Sequence, residues 1–209
     1  MNELWDRLES LLERHAPEVL ASLNPPASLE KIHAAEQALG VSFPEDVRTA
    51  YLRHNGAADQ TIDHGPYFFY YGGWCSLDMM VYKWQSTCRL ADDLKLQPGG
   101  MDNFPEEDET WADMEIRPEW WNPHRIPLSG SNTYNMLLVD LQPGPAGVRG
   151  QVLKDNGTGE PIVVARSLDE LLTTMADRLE QGLMVWDPIK RWVNAATGTT
   201  ILEWKTMWG

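Results

Sequence analysis

The sequence predicts an α+β fold with a single domain, in which a central, mainly antiparallel sheet is flanked by helices. Three short, largely apolar runs, Ile126–Leu128, Met136–Val139 and Gln151–Leu153, are separated by turn-forming clusters at 129–132 and 142–147. Runs of this length, bounded by Gly, Pro, Asn and Ser, are typical of an antiparallel meander. The chain has helical periodicity before these runs and returns to a helix after them, and that order indicates α+β.

The amino-terminal stretch has the period of a helix with one buried face. Leucines fall on one stripe of residues 2–15, and charged side chains occupy most other positions. Residues 16–23 extend this helix after a break at Pro17, and the prolines at 25–26 end it. Residues 1–19 are therefore predicted to form an N-terminal helix ahead of the main domain.

The next segment is predicted to be a helical hairpin. Ser28 has the position of an N-cap, and the helix that follows it stops at Gly40, where a left-handed residue is expected. Pro44 stands where the first residue of another helix belongs, and Asn55-Gly56 closes that helix. A short connection between two helices of this kind is typical of a hairpin.

An aromatic segment and a long helix come next. Tyr67–Tyr71 is predicted to be a strand, and Ser76 caps a helix whose apolar period continues to about Leu94. Cys75 and Cys88 lie at the start and three turns along this helix, too far apart for a disulfide, so both are expected to be reduced packing residues.

Residues 97–119 break every periodic pattern and form an acidic loop. Eight acidic residues lie between Asp102 and Glu119, against one basic residue, Arg117. A tryptophan among carboxylates suits the docking of a basic protein, because the ring contributes affinity and the carboxylates steer the encounter. The alternative is a solvated loop whose tryptophan packs inward. The residues predicted to contact a partner are Asp102, Glu106, Glu107, Asp108, Glu109 and Trp111.

The carboxyl-terminal part is predicted to contain one strand, one helix and an extension. Pro161–Ala165 has the composition of a strand, and Ser167–Glu170 is a capping box that opens a helix ending at Gly182. The main domain is predicted to cover 20–186. Residues 187–209 form a C-terminal extension, interpreted as a hairpin with its turn at 194–199.

The charge balance favours a protein partner. The formal net charge is −14, and phosphate binding depends on clustered Lys and Arg, so nucleic acid is not expected as a partner. An acidic surface instead favours basic proteins and accelerates their association. Acidity that serves only solubility is the simpler alternative. The oligomeric state is left open.

No motif indicates catalysis, a cofactor or a metal ion. The five histidines are not spaced as zinc ligands, and no nucleophile elbow or phosphate-binding loop is present. The glycines at 144, 147 and 150 are expected to serve tight turns, and Asp140 to accept hydrogen bonds from the turn that follows it. No catalytic, cofactor-binding or metal-binding residue is therefore predicted.

The sequence also indicates a cytoplasmic protein. The amino terminus carries charges throughout and lacks the apolar segment of a signal peptide. No window approaches the roughly 18 apolar residues that a membrane helix needs, so no membrane partner is expected.

Four segments, in order, resemble the SUKH superfamily, the group that includes the Knr/Smi-type cell-wall assembly regulator of yeast. They read SLEKIHAAEQALGVSFPEDVRTAYLRHNG, WCSLDMMVYKW, EWWNPHRIPLSGSNTYNMLLVDLQPGPAGVRGQV and SLDELLTTMADRLEQG. The resemblance covers about residues 20–186. This sequence departs from the family pattern at Arg125, where tryptophan is common, and at Asn132–Asn135, where glycines and a small acidic residue are common.

The resemblance implies an α+β domain without a shared catalytic residue set. Bacterial members resemble immunity proteins, which bind and neutralise a cognate toxin, often a nuclease or a deaminase. Fungal members resemble regulators and scaffolds of cell-wall synthesis. The leading hypothesis is a non-enzymatic immunity protein that binds a basic toxin, and the alternative is a regulator of cell-envelope assembly without a toxin partner. An enzyme with dispersed active-site residues is the third class.

Overall fold

A computed structural model describes residues 2–58, 66–69, 72–95, 112–119, 121–132, 135–155 and 161–201. The helices are α1 (Asn2–His15), α2 (Pro17–Ala21), α3 (Leu29–Leu39), α4 (Glu45–Arg53), α5 (Leu77–Lys95) and α6 (Leu168–Glu180). The strands are β1 (Arg125–Asn132), β2 (Asn135–Asp140), β3 (Gln151–Asp155), β4 (Ile162–Ala165), β5 (Met184–Asp187) and β6 (Arg191–Asn194). The predicted α+β arrangement is confirmed.

The central sheet is an antiparallel meander in the order β1-β2-β3-β4. Val139 faces Ile126 on one side and Val152 on the other, so the apolar runs of the sequence become neighbouring strands. The turn predicted at 129–132 is wrong, because β1 continues through these residues to Asn132. Register shifts between Pro127 and Ser129, and again after Gly130, let the strand bend without ending.

One face of the sheet carries the helices and the main core. Helices α1 and α6 pack on each other, α6 packs on β3 and β4, and α5 packs on β1. Helix α1 contributes the fully buried Trp5 and Leu8 to this core, together with Leu11 and Leu12. Since complete burial of a leucine contributes about 1.5–3 kcal/mol, α1 is a substantial part of the core.

An aromatic cluster surrounds Trp74. The Trp74 ring stacks on Trp5 with centroids 5.5 Å apart and lies 5.2 Å from Tyr51 and 5.3 Å from Phe68. The predicted aromatic strand is absent from the described residues 66–69, where Phe69 forms only a single bridge, to Gly72. Packing of these rings into the core replaces strand pairing at this point; residues 70–71 lie outside the described part.

The opposite face of the sheet is covered by residues 114–119, here called the docked segment. Its Ile116 packs on a small second core in which Leu138 and Leu153 are buried. The backbone N–H of Gly144 donates to the Glu115 carbonyl at 3.0 Å, and other bonds link the segment to the β2–β3 turn. The docked segment therefore lies directly against the turn rather than in solvent.

The chain after α6 forms a second, two-stranded sheet from β5 and β6. Trp192 is buried, and its indole N–H donates to the carbonyl oxygens of Tyr67 and Phe68 at 2.9 and 3.2 Å, which fixes the hairpin to the body. A turn at 194–199 follows β6, closed by the Asn194 N–H donating to the Thr199 carbonyl at 2.9 Å.

Candidate functional site

The six residues predicted to bind a partner lie outside the described part of the chain. They belong to the segment 96–111, and their role stays a prediction. Two features of the described residues are considered as candidate sites: a buried polar cluster at one end of the sheet and a surface around α3.

The buried polar cluster occupies neighbouring positions on three strands. Arg125 pairs with Asp140 across β1 and β2, and Asp140 pairs with Gln151 across β2 and β3. The Asp140 carboxylate accepts from the Gln151 side chain at 3.0 Å and from the Gln142 N–H at 3.1 Å. The second bond confirms the turn-capping role predicted for Asp140.

Arg125 connects this cluster to the docked segment. Its guanidinium donates to the carbonyl oxygens of Glu119 and Arg117 at 3.0 and 2.6 Å, and it lies 3.6 Å from the Glu119 carboxylate. Burial lowers the pKa of Arg125 and raises the pKa of Asp140, and the Arg125 charge opposes the shift of Asp140. The opposite charges of Arg125 and Asp140 thus offset part of each other's desolvation cost in the protein interior.

The chemistry available to this cluster is structural. Arg125 is 2% exposed and Asp140 is 0% exposed, so both side chains lie inside the protein. Two bonds from Arg125 and one to Asp140 involve backbone groups, and these hold the docked segment and the β2–β3 turn. Among the described residues, no group of three or more His, Cys, Asp and Glu side chains is arranged to hold a metal ion.

The surface around α3, here called the α3 surface, has an open groove on each side of the helix. The first groove has a volume of about 300 Å³ and lies between α3 and α5. It is largely apolar, and its main lining residues are Ala34, Ala35, Ala38, Leu77, Val81 and Tyr82. Tyr82 is 61% exposed and projects an aromatic ring at the edge of this groove, the kind of side chain that often dominates a protein interface.

The second groove is larger, about 460 Å³, and its lining is a mixture of polar and apolar surface. It lies beside the carboxyl-terminal end of α3 and is lined by His33, Glu36, Gln37, Gly40, Val41 and Ser42. The Arg149 guanidinium reaches the Ser42 carbonyl at 2.7 Å, so the β2–β3 turn borders this groove.

Local interactions fix the position of α3. The Ser28 hydroxyl accepts from the Lys31 N–H at 3.2 Å, and Gly40 ends the helix at φ 67°, both as predicted. The buried Glu36 carboxylate accepts from the Phe43 N–H at 2.7 Å. Lys31 also forms an exposed ion pair with Asp78 of α5 at 2.7 Å, at the side of the first groove. A helix held at both ends and along its inner side presents a rigid outer face.

The sequence predicted a helix between Ser28 and Gly40, but no site was predicted on its outer face. The available signal was the pair Ala34 and Ala38, small residues that follow the helical period on the solvent side. Alanine at such positions is also the best helix former, so the pattern alone does not distinguish a groove from a helix. The groove depends on the separation of α3 and α5, which helical periodicity does not specify.

The fold and sequence together define the class of protein. Residues 26–174 match the SMI1 / KNR4 family (SUKH-1), and the chain belongs to this family. The match includes α3, α4, α5 and the central sheet, and therefore both the polar cluster and the α3 surface.

The individual relatives are fungal regulators. The cell wall assembly regulator SMI1 of Saccharomyces cerevisiae is 27% identical over 205 residues, which cover 85% of this chain and 40% of the relative. The glucan synthesis regulatory protein of Neurospora crassa is 24% identical, covering 85% of this chain and 38% of the relative. The cell wall biosynthesis/cell cycle regulator smi1 of Schizosaccharomyces pombe is 26% identical, covering 90% and 38%.

This chain thus spans about 40% of the length of these relatives. These relatives are named as regulators and not as enzymes. Within the described residues, no helix combines the length and the apolar character needed to cross a membrane.

Proposed function

We propose that this chain is a non-catalytic protein-recognition domain that regulates assembly of the cell envelope, with the α3 surface as its main contact site. The observation that carries the proposal is the family membership over residues 26–174, joined to relatives named as regulators of cell-wall and glucan synthesis. A cytoplasmic location is part of the proposal.

The α3 surface supports a binding role by its shape and rigidity. A largely apolar groove and a second groove of mixed lining, on opposite sides of α3, offer both buried contacts and directional hydrogen bonds, the combination found in protein interfaces. The capped ends of α3 and its ion pair with α5 keep the face ordered before a partner arrives, which lowers the entropic cost of association.

Toxin immunity is the second candidate. Its support is the net charge of −14, which would complement a nuclease that is basic because its substrate is anionic. We place it second because the relatives described above are named as regulators of cell-wall assembly rather than as partners of toxins.

The acidic loop is proposed to steer a basic partner toward the domain in either case. Reversing the charge of Glu106, Glu107, Asp108 and Glu109 should slow association and reduce its dependence on salt, because long-range attraction acts mainly on the association rate. An unchanged association rate and an unchanged salt dependence would show that this loop does not steer the partner.

The test of the proposed function uses chemical cross-linking and affinity purification from the cells that encode the chain. Ala34→Arg and Ala38→Arg would fill the apolar groove, whereas Thr173→Arg places the same side chain on the exposed face of α6. We expect the groove variants to lose one set of proteins, the Thr173 variant to retain it, and that set to include proteins of envelope synthesis.

Two other outcomes decide against parts of the proposal. Equal recovery by all variants would show that α3 is not the contact site. Recovery of a toxin domain that the purified chain inhibits would establish immunity in place of regulation.

A further inference from the structure

We infer that the tip of the β5–β6 hairpin, residues 187–191, is a second contact surface that takes an acidic segment of a partner protein around an apolar contact to Ile189. The inference rests on the proposed function only in that the chain acts by binding proteins. The tip is separate from the α3 surface and lies outside the matched span 26–174.

The first observation is exposure. Ile189 is 91% exposed, the highest value of any large apolar side chain among the described residues. Leu183 and Val185 on the same hairpin are 46% and 38% exposed. A single exposed aliphatic residue is ordinary on a protein surface, so the exposure of Ile189 is informative only together with the order and the charge of the tip.

The second observation is that the tip is rigid. One oxygen of the Asp187 carboxylate accepts from the N–H groups of both Ile189 and Lys190, at 2.8 and 2.7 Å. Below the tip, Trp192 is bonded to the body, and Trp186 packs edge-on against it with centroids 5.1 Å apart. Ile189 is therefore held out by an ordered turn, and a partner would not have to order it.

The third observation is a strained backbone. Arg191 has φ 70°, and it is the one non-glycine residue with positive φ in the described part of the chain. Its guanidinium carbon lies 3.6 Å from the centre of the Tyr67 ring, a cation–π contact that holds the side chain in place. Conformations of this kind persist where the surroundings impose them, and they concentrate at functional sites.

The charge of the tip selects the partner. The tip carries two cations, Lys190 and Arg191, against one carboxylate, Asp187, on a chain of net charge −14. The Lys190 ammonium donates to the Gly198 carbonyl at 3.2 Å, and Arg191 stacks on Tyr67, so both cations are held at the tip. At physiological salt, screening limits the range of interaction between exposed charges to about 8–10 Å. A short acidic segment therefore interacts mainly with the cations of the tip. An extended polyanion, such as nucleic acid or an anionic membrane, would also be repelled by the acidic surface of the rest of the chain.

The test is selection from a displayed random-peptide library, run in parallel on the wild-type chain and on Ile189→Asp. We expect the peptides retained only by the wild type to carry more Asp and Glu than Lys and Arg, around an apolar residue. A peptide synthesised from that set should bind Ile189→Asp and Lys190→Glu at least about tenfold more weakly, as truncated interface anchors do.

Val148→Asp is the matched control, because Val148 is also an exposed aliphatic residue followed by a cation, Arg149, on another turn. It should bind the peptide like the wild type, and circular dichroism should show that all variants fold. Equal binding by Ile189→Asp, or a selected set that is basic or neutral, would overturn the inference. Sedimentation of the wild type, but not of Ile189→Asp, with phosphatidylserine vesicles would overturn it in favour of a membrane surface.

The outcome is separable from that of the proposed function. If Ala38→Arg loses the partners of the α3 surface while Ile189→Asp retains every contact, the tip fails alone. If the tip binds its peptide and no groove variant loses a partner, the α3 surface fails alone.

Discussion

Two glycines in the β2–β3 turn show how the absence of one methyl group positions a whole segment. A Cβ atom on Gly147 would lie 2.1 Å from the Glu115 carbonyl oxygen, and one on Gly144 would lie 2.3 Å from that of Met114. Both contacts are with backbone of the docked segment. Glycines at these positions were expected to serve tight turns, and in the structure they also leave room for the backbone of the docked segment.

Gly147→Ala should destabilise the protein by about 1–3 kcal/mol, because backbone atoms must move to admit the methyl group. Gly73→Ala is the control, since nothing lies within 4 Å of its Cβ position, and it should change stability by less than about 0.5 kcal/mol. Urea denaturation of both variants measures this difference. Equal stability of the two would mean that the docked segment does not lie against the turn in solution.

Asp140→Asn should change how stability depends on pH. Burial raises the pKa of Asp140 in the folded protein, so the folded state holds this proton to a higher pH than the unfolded chain. The stabilising contribution is complete below the unfolded pKa, about 4, and is lost as the pH rises through the folded value. The variant should therefore gain stability relative to the wild type as the pH rises above the unfolded pKa, about 4.

Asp187→Asn should change the pH dependence of stability in the opposite direction to Asp140→Asn. Backbone hydrogen bonds from Lys190 and Ile189 lower the pKa of Asp187, so its contribution is present above the unfolded pKa and is lost on acidification. Urea titrations at several pH values measure both differences. Parallel curves for the wild type and Asp140→Asn would contradict the burial of a titrating carboxylate at this position.

At the scale of elements, α4 and α6 are joined end to end by one side chain. One oxygen of the Asp46 carboxylate accepts from the N–H groups of Leu168 and Asp169 at 2.8 and 3.3 Å, and the other accepts from the Val47 N–H at 2.9 Å. Asp46, in the first turn of α4, thus also satisfies the first turn of α6. The predicted Ser167 cap is present as well, with its hydroxyl accepting from the Glu170 N–H at 3.1 Å.

Asp46→Ala should cost about 0.5–2 kcal/mol, the range for loss of a helix cap, and the first-turn amides of α6 should exchange faster with solvent. Burial raises the pKa of Asp169, and the negative charge of Asp46 raises it further. Removing the Asp46 carboxylate relieves this repulsion between the two carboxylates, which offsets part of the cost. Glu45→Ala, an exposed neighbour in the same turn, is the control. Unchanged exchange in α6 would contradict the capping role across the two helices.

At the scale of the whole molecule, the elements that repeat a period were predictable and the places where distant segments meet were not. Leucine spacing and the Ser28 and Gly40 caps define α1 and α3, and the apolar runs give the order of the meander. The Arg125 cluster joins three strands to the docked segment, and no local pattern specifies that meeting. The α3 surface arises in the same way, from the packing of α3 against α5.

The positions of Trp5 and Trp192 have a practical consequence for the design of truncated fragments. Trp5 and Trp192 both lie outside residues 26–174, yet the first stacks on Trp74 and the second bonds the backbone of the neighbouring aromatic segment. A recombinant fragment cut at the family limits would remove the two indoles that close the interior from opposite ends of the chain. Expression boundaries for crystallisation or mutational scanning are therefore better drawn from the packing of these rings than from sequence similarity.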